Sequence, residues 1–155
     1  MKGNPKILEL LNDRLAEELT AISMYMVHSE MCANWGYGKL HEAFEKQAID
    51  EMKHAEMIIG RVLFLEGTPT VSKLNRMKIA ATVQDMVQAD EDAELGAIKA
   101  YNDTIAAAVK LGDNGTREMV AKILQDEERH VDWAEVQREQ IAQMGLQNYL
   151  ANQAE

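Results

Sequence analysis

Cysteine, proline, aromatic residues and long apolar runs are all scarce in this 155-residue chain. The single cysteine, Cys32, cannot close a disulfide within the chain, which fits a reducing compartment. Two prolines and only two Phe, two Trp and four Tyr argue against a sheet-rich fold, which wants more β-branched and aromatic side chains. No apolar run has the length of a bilayer; the best stretch, 57–65, is interrupted by Arg61. Met1-Lys2-Gly3-Asn4-Pro5 leads directly into an amphipathic segment rather than a secretory leader, so the expectation is a cytoplasmic protein with no membrane partner. Basic charge is also short: 16 Lys and Arg face 26 Asp and Glu, a net charge of −10. Such a chain is a poor match for a nucleic-acid backbone and a better one for cations.

What is present is helical periodicity. Apolar positions recur in steps of three and four over four segments, about 5–34, 39–66, 83–111 and 116–144. The stripes are Leu8, Leu11, Leu15, Glu18, Ile22, Tyr25 in the first and Leu40, Phe44, Gln47, Glu51, His54, Ile58 in the second. The third gives Val83, Val87, Asp90, Glu94, Ile98, Tyr101 and the fourth Val120, Ile123, Glu127, His130, Ala134. In each helix, ionisable residues interrupt the stripe near its middle. Short breaks at 35–38 and 112–115 predict two antiparallel hairpins, whereas the sixteen residues 67–82 are long enough to cross the length of a bundle. The expectation is an all-α, single-domain (1–155) ferritin-like four-helix bundle with one crossover between the second and third helices. A short fifth helix at 146–151 has little core to bury within one chain and is expected to pack against another subunit.

The interrupting residues form a pattern. Glu51-Met52-Lys53-His54 and Glu127-Glu128-Arg129-His130 each set a carboxylate three residues before an imidazole, on one helix face. Glu18 and Glu94 each stand 33 positions upstream of those glutamates (51 − 18 and 127 − 94). One Glu from each of two helices and Glu-x-x-His from each of two others is the ligand set of a di-iron or di-manganese carboxylate centre. A single Glu-x-x-His is ordinarily an exposed surface pair; four such charges in core registers are too costly to be accidental. Glu51 and Glu127 can bridge two ions, while Glu18 and Glu94 each hold one and His54 and His130 supply one nitrogen apiece. Two Fe²⁺ per subunit balance four carboxylates; without metal, crowding and burial raise carboxyl pKa values, so metal uptake is expected to release protons. Tyr25 and Tyr101 lie on the core stripe, where their hydroxyls can bond the ligands.

At these residues the chain resembles the bacterioferritins, within the ferritin family. The resemblance runs nearly the whole length, through Asn34-Trp35-Gly36, Asp50-Glu51-Met52-Lys53-His54-Ala55, Leu63-Phe64-Leu65-Glu66-Gly67, His130-Val131-Asp132-Trp133 and Met144-Gly145-Leu146-Gln147-Asn148-Tyr149-Leu150. It implies iron storage: ferroxidase ligands at Glu18, Glu51, His54, Glu94, Glu127 and His130, oxidation of Fe²⁺ with O₂ or H₂O₂, and a ferric mineral held in a homo-oligomeric cage of twenty-four subunits. It also implies a tyrosine beside the iron centre at Tyr25, haem b between two subunits with Met52 of each as axial ligand, and a ferredoxin-type reductant for iron release. On spacing alone Met52, one methionine among ten, reads as packing. Some members carry a histidine at position 46 that binds iron with Asp50; here the residue is Lys46. Two other readings compete: a haem-bearing helical dimer for electron transfer, and a di-iron peroxidase without mineral storage.

Overall fold

The computed structural model describes residues 1–154. Four long helices and one short one follow in order: α1 Pro5–Asn34, α2 Gly38–Phe64, α3 Val83–Lys110, α4 Asn114–Met144 and α5 Leu146–Gln153. Asn4 opens α1 by accepting from the Lys6 backbone N–H, with Pro5 at the first helical position; Thr82 caps α3 and Asp113 caps α4 in the same manner. Because Asp113 caps, α4 begins two residues earlier than its apolar stripe predicts. Gly36 and Gly112 take positive φ in the two hairpin turns, conformations that L side chains rarely adopt.

Helices α1 and α2 pack along each other, as do α3 and α4. The crossover lies along α1. Thr70 and Thr68 bond Asn12, Asn75 bonds Thr20, and the Ala80 N–H donates to Nε2 of His28. It therefore climbs the bundle in the direction of α1, leaving α3 parallel to α2. His28 is fully buried, and its other nitrogen lies 3.2 Å from Asp90, whose carboxyl burial pushes up to about 6. His28, to which the sequence assigned no task, pins the crossover where it enters α3.

The core divides in two. Ile7, Leu11, Leu15, Ile58, Val62, Val120 and Ile123 fill one end; Cys32, Leu40, Phe44, Val83, Met86, Ile141 and Tyr149 fill the other. Glu18, Glu51, His54, Glu94, Glu127 and His130 are buried between these apolar plugs. The tail helix finds core within its own subunit. Gly145, at φ +82°, turns the chain back, and Tyr149 becomes fully buried in its own subunit, with its hydroxyl donating to Gln137. Burying one aromatic ring gives the tail the core contact that its few apolar residues had not suggested.

Helix α2 stops at Phe64. Glu66 adopts φ 60° and the Gly67 N–H returns to the Val62 carbonyl. A β-carbon at Gly67 would lie 2.5 Å from Leu8 Cδ2 and 3.0 Å from Val62 Cγ1. Gly67→Ala is expected to destabilise the fold by roughly 1–3 kcal/mol, the usual cost of overpacking. A thermal midpoint equal to that of the parent protein would contradict this.

Candidate metal centre

Glu18 of α1, Glu51 and His54 of α2, Glu94 of α3, and Glu127 and His130 of α4 all point into the gap between the two apolar plugs, and all six are buried. They converge as two overlapping groups, Glu18, Glu51, His54, Glu127 and Glu51, Glu94, Glu127, His130. Within each group one donor atom per residue lies within 4.8 Å of the others. These are the only such groups among the described residues. The two imidazole rings are 6.4 Å apart, centroid to centroid.

Individual oxygens separate shared from unshared carboxylates. Glu51 turns Oε2 to His54 Nδ1 at 2.8 Å and Oε1 to His130 Nδ1 at 3.0 Å. Glu127 does the converse, Oε1 to His54 at 3.4 Å and Oε2 to His130 at 3.3 Å. Glu18 reaches only His54, at 3.5 Å, and Glu94 only His130, at 3.4 Å. This is the arrangement that two bridging and two terminal carboxylates require.

The outer face of His54 is held by a carboxylate, and that of His130 looks toward one. His54 Nε2 lies 2.9 Å from Asp126 Oδ2, and His130 Nε2 lies 3.6 Å from Asp50 Oδ2. A carboxylate on the far nitrogen fixes the tautomer and leaves Nδ1 for a metal. Asp126 escaped the sequence reading, which looked only at core registers; the signal available was its place immediately before Glu127, as Asp50 stands immediately before Glu51. The tyrosines bond across the bundle rather than along their own helices. Tyr25 of α1 donates to Glu94 of α3, and Tyr101 of α3 donates to Glu18 of α1. Met52, by contrast, is half-exposed and turned away from the centre.

Electrostatics mark the site as one built around cations. Burial pushes the Glu51 carboxyl well above its ordinary value, although the adjacent His130 and His54 imidazoles oppose this. Burial likewise pushes Glu127 up to about 7. For Glu94, burial is outweighed by the adjacent His130 imidazole, and its pKa is lowered. Burial favours neutral imidazoles, but the surrounding glutamates prevail and push His54 and His130 up to about 12. Burial, then the adjacent carboxylates, keep both phenols protonated and therefore donating.

The donor atoms also fit a metal. Glu18 Oε2, Glu51 Oε1, Glu127 Oε2 and His130 Nδ1 are buried and, although each lies 3.0–3.5 Å from an opposite group, none makes an aligned hydrogen bond. Unpaired buried polar atoms are costly. Four of them facing one gap, all carboxylate oxygen or imidazole nitrogen, suit Fe²⁺, Mn²⁺ or Zn²⁺. A cavity of about 370 Å³ between α1, α3 and the crossover is lined by Asn75 and Lys78 toward its outer side and by Glu18, Glu51, Glu94 and Glu127 at its floor.

Comparison with known proteins agrees with this geometry. Residues 8–144 match the family model of the ferritin-like domain. A bacterial ferritin of Synechocystis sp. is 39% identical over 154 residues, 99% of each chain. The bacterioferritin of Brucella melitensis is 35% identical over 149 residues, 96% of this chain and 92% of that one. The bacterioferritin of Mycolicibacterium paratuberculosis is 36% identical over 151 residues, 97% and 95% of the two chains.

Proposed function

Since this chain belongs to the bacterioferritins of the ferritin family, we propose that it detoxifies and stores iron, oxidising Fe²⁺ at the six-residue centre and retaining ferric product in an oligomeric cage. The observation that carries this reading is the oxygen-by-oxygen placement of Glu51 and Glu127, each spanning both histidines.

Fe²⁺ is the substrate. Glu51 and Glu127 span two ions; Glu18 with His54 completes one coordination set and Glu94 with His130 the other. Four carboxylates cancel the charge of two Fe²⁺, so the loaded site is close to neutral. Each Fe²⁺ gives one electron, and the pair reduces O₂ with two protons to H₂O₂, or H₂O₂ with two protons to two waters. Two Fe³⁺ carry two positive charges more than the four carboxylates balance. That excess weakens retention in a desolvated site and favours hydrolysis and passage to mineral. The measurement that decides storage is iron held per subunit under air. Far more than two is expected; a ceiling of two leaves a catalytic centre without storage.

Twenty-four copies form the cage in this reading. Haem b would be held between paired subunits by Met52 of each. Met52 and Ile49, one turn apart on α2, are both half-exposed, and α1 exposes Met26 and Val27. A bare thioether among exposed apolar side chains fits an apolar macrocycle shared by two copies. Bound haem supplies an electron path for iron release, with a ferredoxin-type protein as reductant. Met52→Leu is expected to abolish haem absorption in the purified protein and leave initial ferrous oxidation unchanged; a retained haem spectrum removes Met52 from this role. Among the described residues no helix is long and apolar enough to cross a membrane; the proposed location is the cytoplasm.

A further inference from the structure

The two tyrosines raise a question about the terminal carboxylates. Glu18 and Glu94 are 76 positions apart, as are Tyr25 and Tyr101, and each tyrosine bonds the glutamate of the opposite helix. Glu18 needs such a hold. It lines the cavity between α1, α3 and the crossover, so open space lies beside its carboxylate. Tyr101 takes Oε1 of Glu18, and the other oxygen, Oε2, is left buried and unpartnered 3.5 Å from His54 Nδ1. Tyr101 is itself braced. The buried Arg14 guanidinium lies 5.9 Å from its ring centroid, and Arg14 bonds the Ala100 carbonyl at 2.8 Å, Thr104 Oγ1 at 3.2 Å and Glu17 at 2.7 Å.

We propose that Tyr101 is a positioning residue for the metal ion held by Glu18 and His54: its hydroxyl occupies one oxygen of Glu18, so that the carboxylate presents the other to the ion and cannot turn into the cavity. The inference rests on the di-metal reading above. It assigns each half of the centre its own tyrosine, Tyr101 for the Glu18 half and Tyr25 for the Glu94 half. Loss of one hydroxyl therefore weakens one ion and spares the other. A ring that merely fills space makes no such distinction.

Co²⁺ titration of the intact protein, followed by calorimetry and visible absorption, tests this. The unaltered chain takes up two Co²⁺. Glu94→Ala leaves only the Glu18 half and binds one; Glu18→Ala leaves only the Glu94 half and also binds one. Adding Tyr101→Phe to Glu94→Ala is expected to weaken the remaining Co²⁺ by about 10- to 100-fold, the usual effect of losing a partner that orients a ligand, and to shift its absorption band. Adding it to Glu18→Ala is expected to change affinity less than about twofold, because the carboxylate that the hydroxyl holds is already gone and the cycle leaves no pair to couple. In the otherwise unaltered chain, Tyr101→Phe makes the titration biphasic. Equal affinity with and without the hydroxyl in the Glu94→Ala background overturns the proposal, as does equal weakening in both backgrounds, which would be general damage to the fold. Fewer than two Co²⁺ on the unaltered chain overturns the di-metal reading, and this proposal with it.

Discussion

Replacing Glu51 with alanine lowers ferrous oxidation by about a thousandfold or more, while Glu18→Ala leaves one metal position intact. The difference follows from sharing. Glu51 stands in both groups of converging donors, with one oxygen 2.8 Å from His54 and the other 3.0 Å from His130. Its loss removes a ligand from each of two ions. Disturbing even a supporting residue commonly costs about 10- to 100-fold in metal affinity; a ligand lost from both positions compounds to at least about a thousandfold, near 4 kcal/mol at 1.4 kcal/mol per factor of ten. Glu18 belongs to one group only. The metal-free Glu51→Ala protein still folds, since His54 keeps Asp126 at 2.9 Å, Glu127 at 3.4 Å and Glu18 at 3.5 Å. The check is the initial rate of Fe³⁺ formation per subunit, with helical content measured alongside. A variant that oxidises iron at the parent rate shows that chemistry occurs elsewhere.

The convergence of these six side chains was legible in the sequence because burial and charge conflict there. A glutamate in the apolar stripe of one helix is weak information; the same intrusion in four helices, at matching depth about two short turns, has only one economical resolution, a cation between them. Helix boundaries were visible wherever glycine or an apolar stripe ended. They shifted where backbone hydrogen bonding decided, as at Asp113, which caps α4, and at Glu66, which ends α2 in a left-handed conformation. Contacts between elements were not legible. Periodicity places Tyr101 on the core face of α3 but says nothing of Glu18 across the bundle, and Asp126 sits one position off the core register. The same applies to His28, whose partners, Ala80 and Asp90, lie more than fifty residues away. Tyr149 escaped for another reason: the burial of a single large ring depends on the direction in which Gly145 turns the chain, which composition does not encode.

Filling the centre at pH 7 should release about two to four protons per chain, because metal binding requires deprotonated ligands. His54 and His130, pushed up to about 12, both carry protons at pH 7 and must each free a nitrogen. Glu127, at about 7, is half protonated, and burial favours the neutral form of Glu51. Metal affinity therefore rises with pH, by about tenfold per unit for each proton displaced. Stability of the metal-free chain moves the other way. The histidines stabilise the fold fully below their unfolded value of 6.5, and this is lost as pH climbs toward 12. Ionising Glu127, whose folded pKa lies above its ordinary 4.5, costs stability as pH rises through about 7. Glu94 is lowered from 4.5, is ionised in folded and unfolded chains alike between pH 5 and 8, and adds no slope there. The gap in melting temperature between metal-loaded and metal-free protein should thus widen from pH 5 to pH 8. Calorimetry in two buffers of different ionisation enthalpy counts the protons, and a count of zero, or a gap that narrows with pH, would mean that the six side chains are not the ligands.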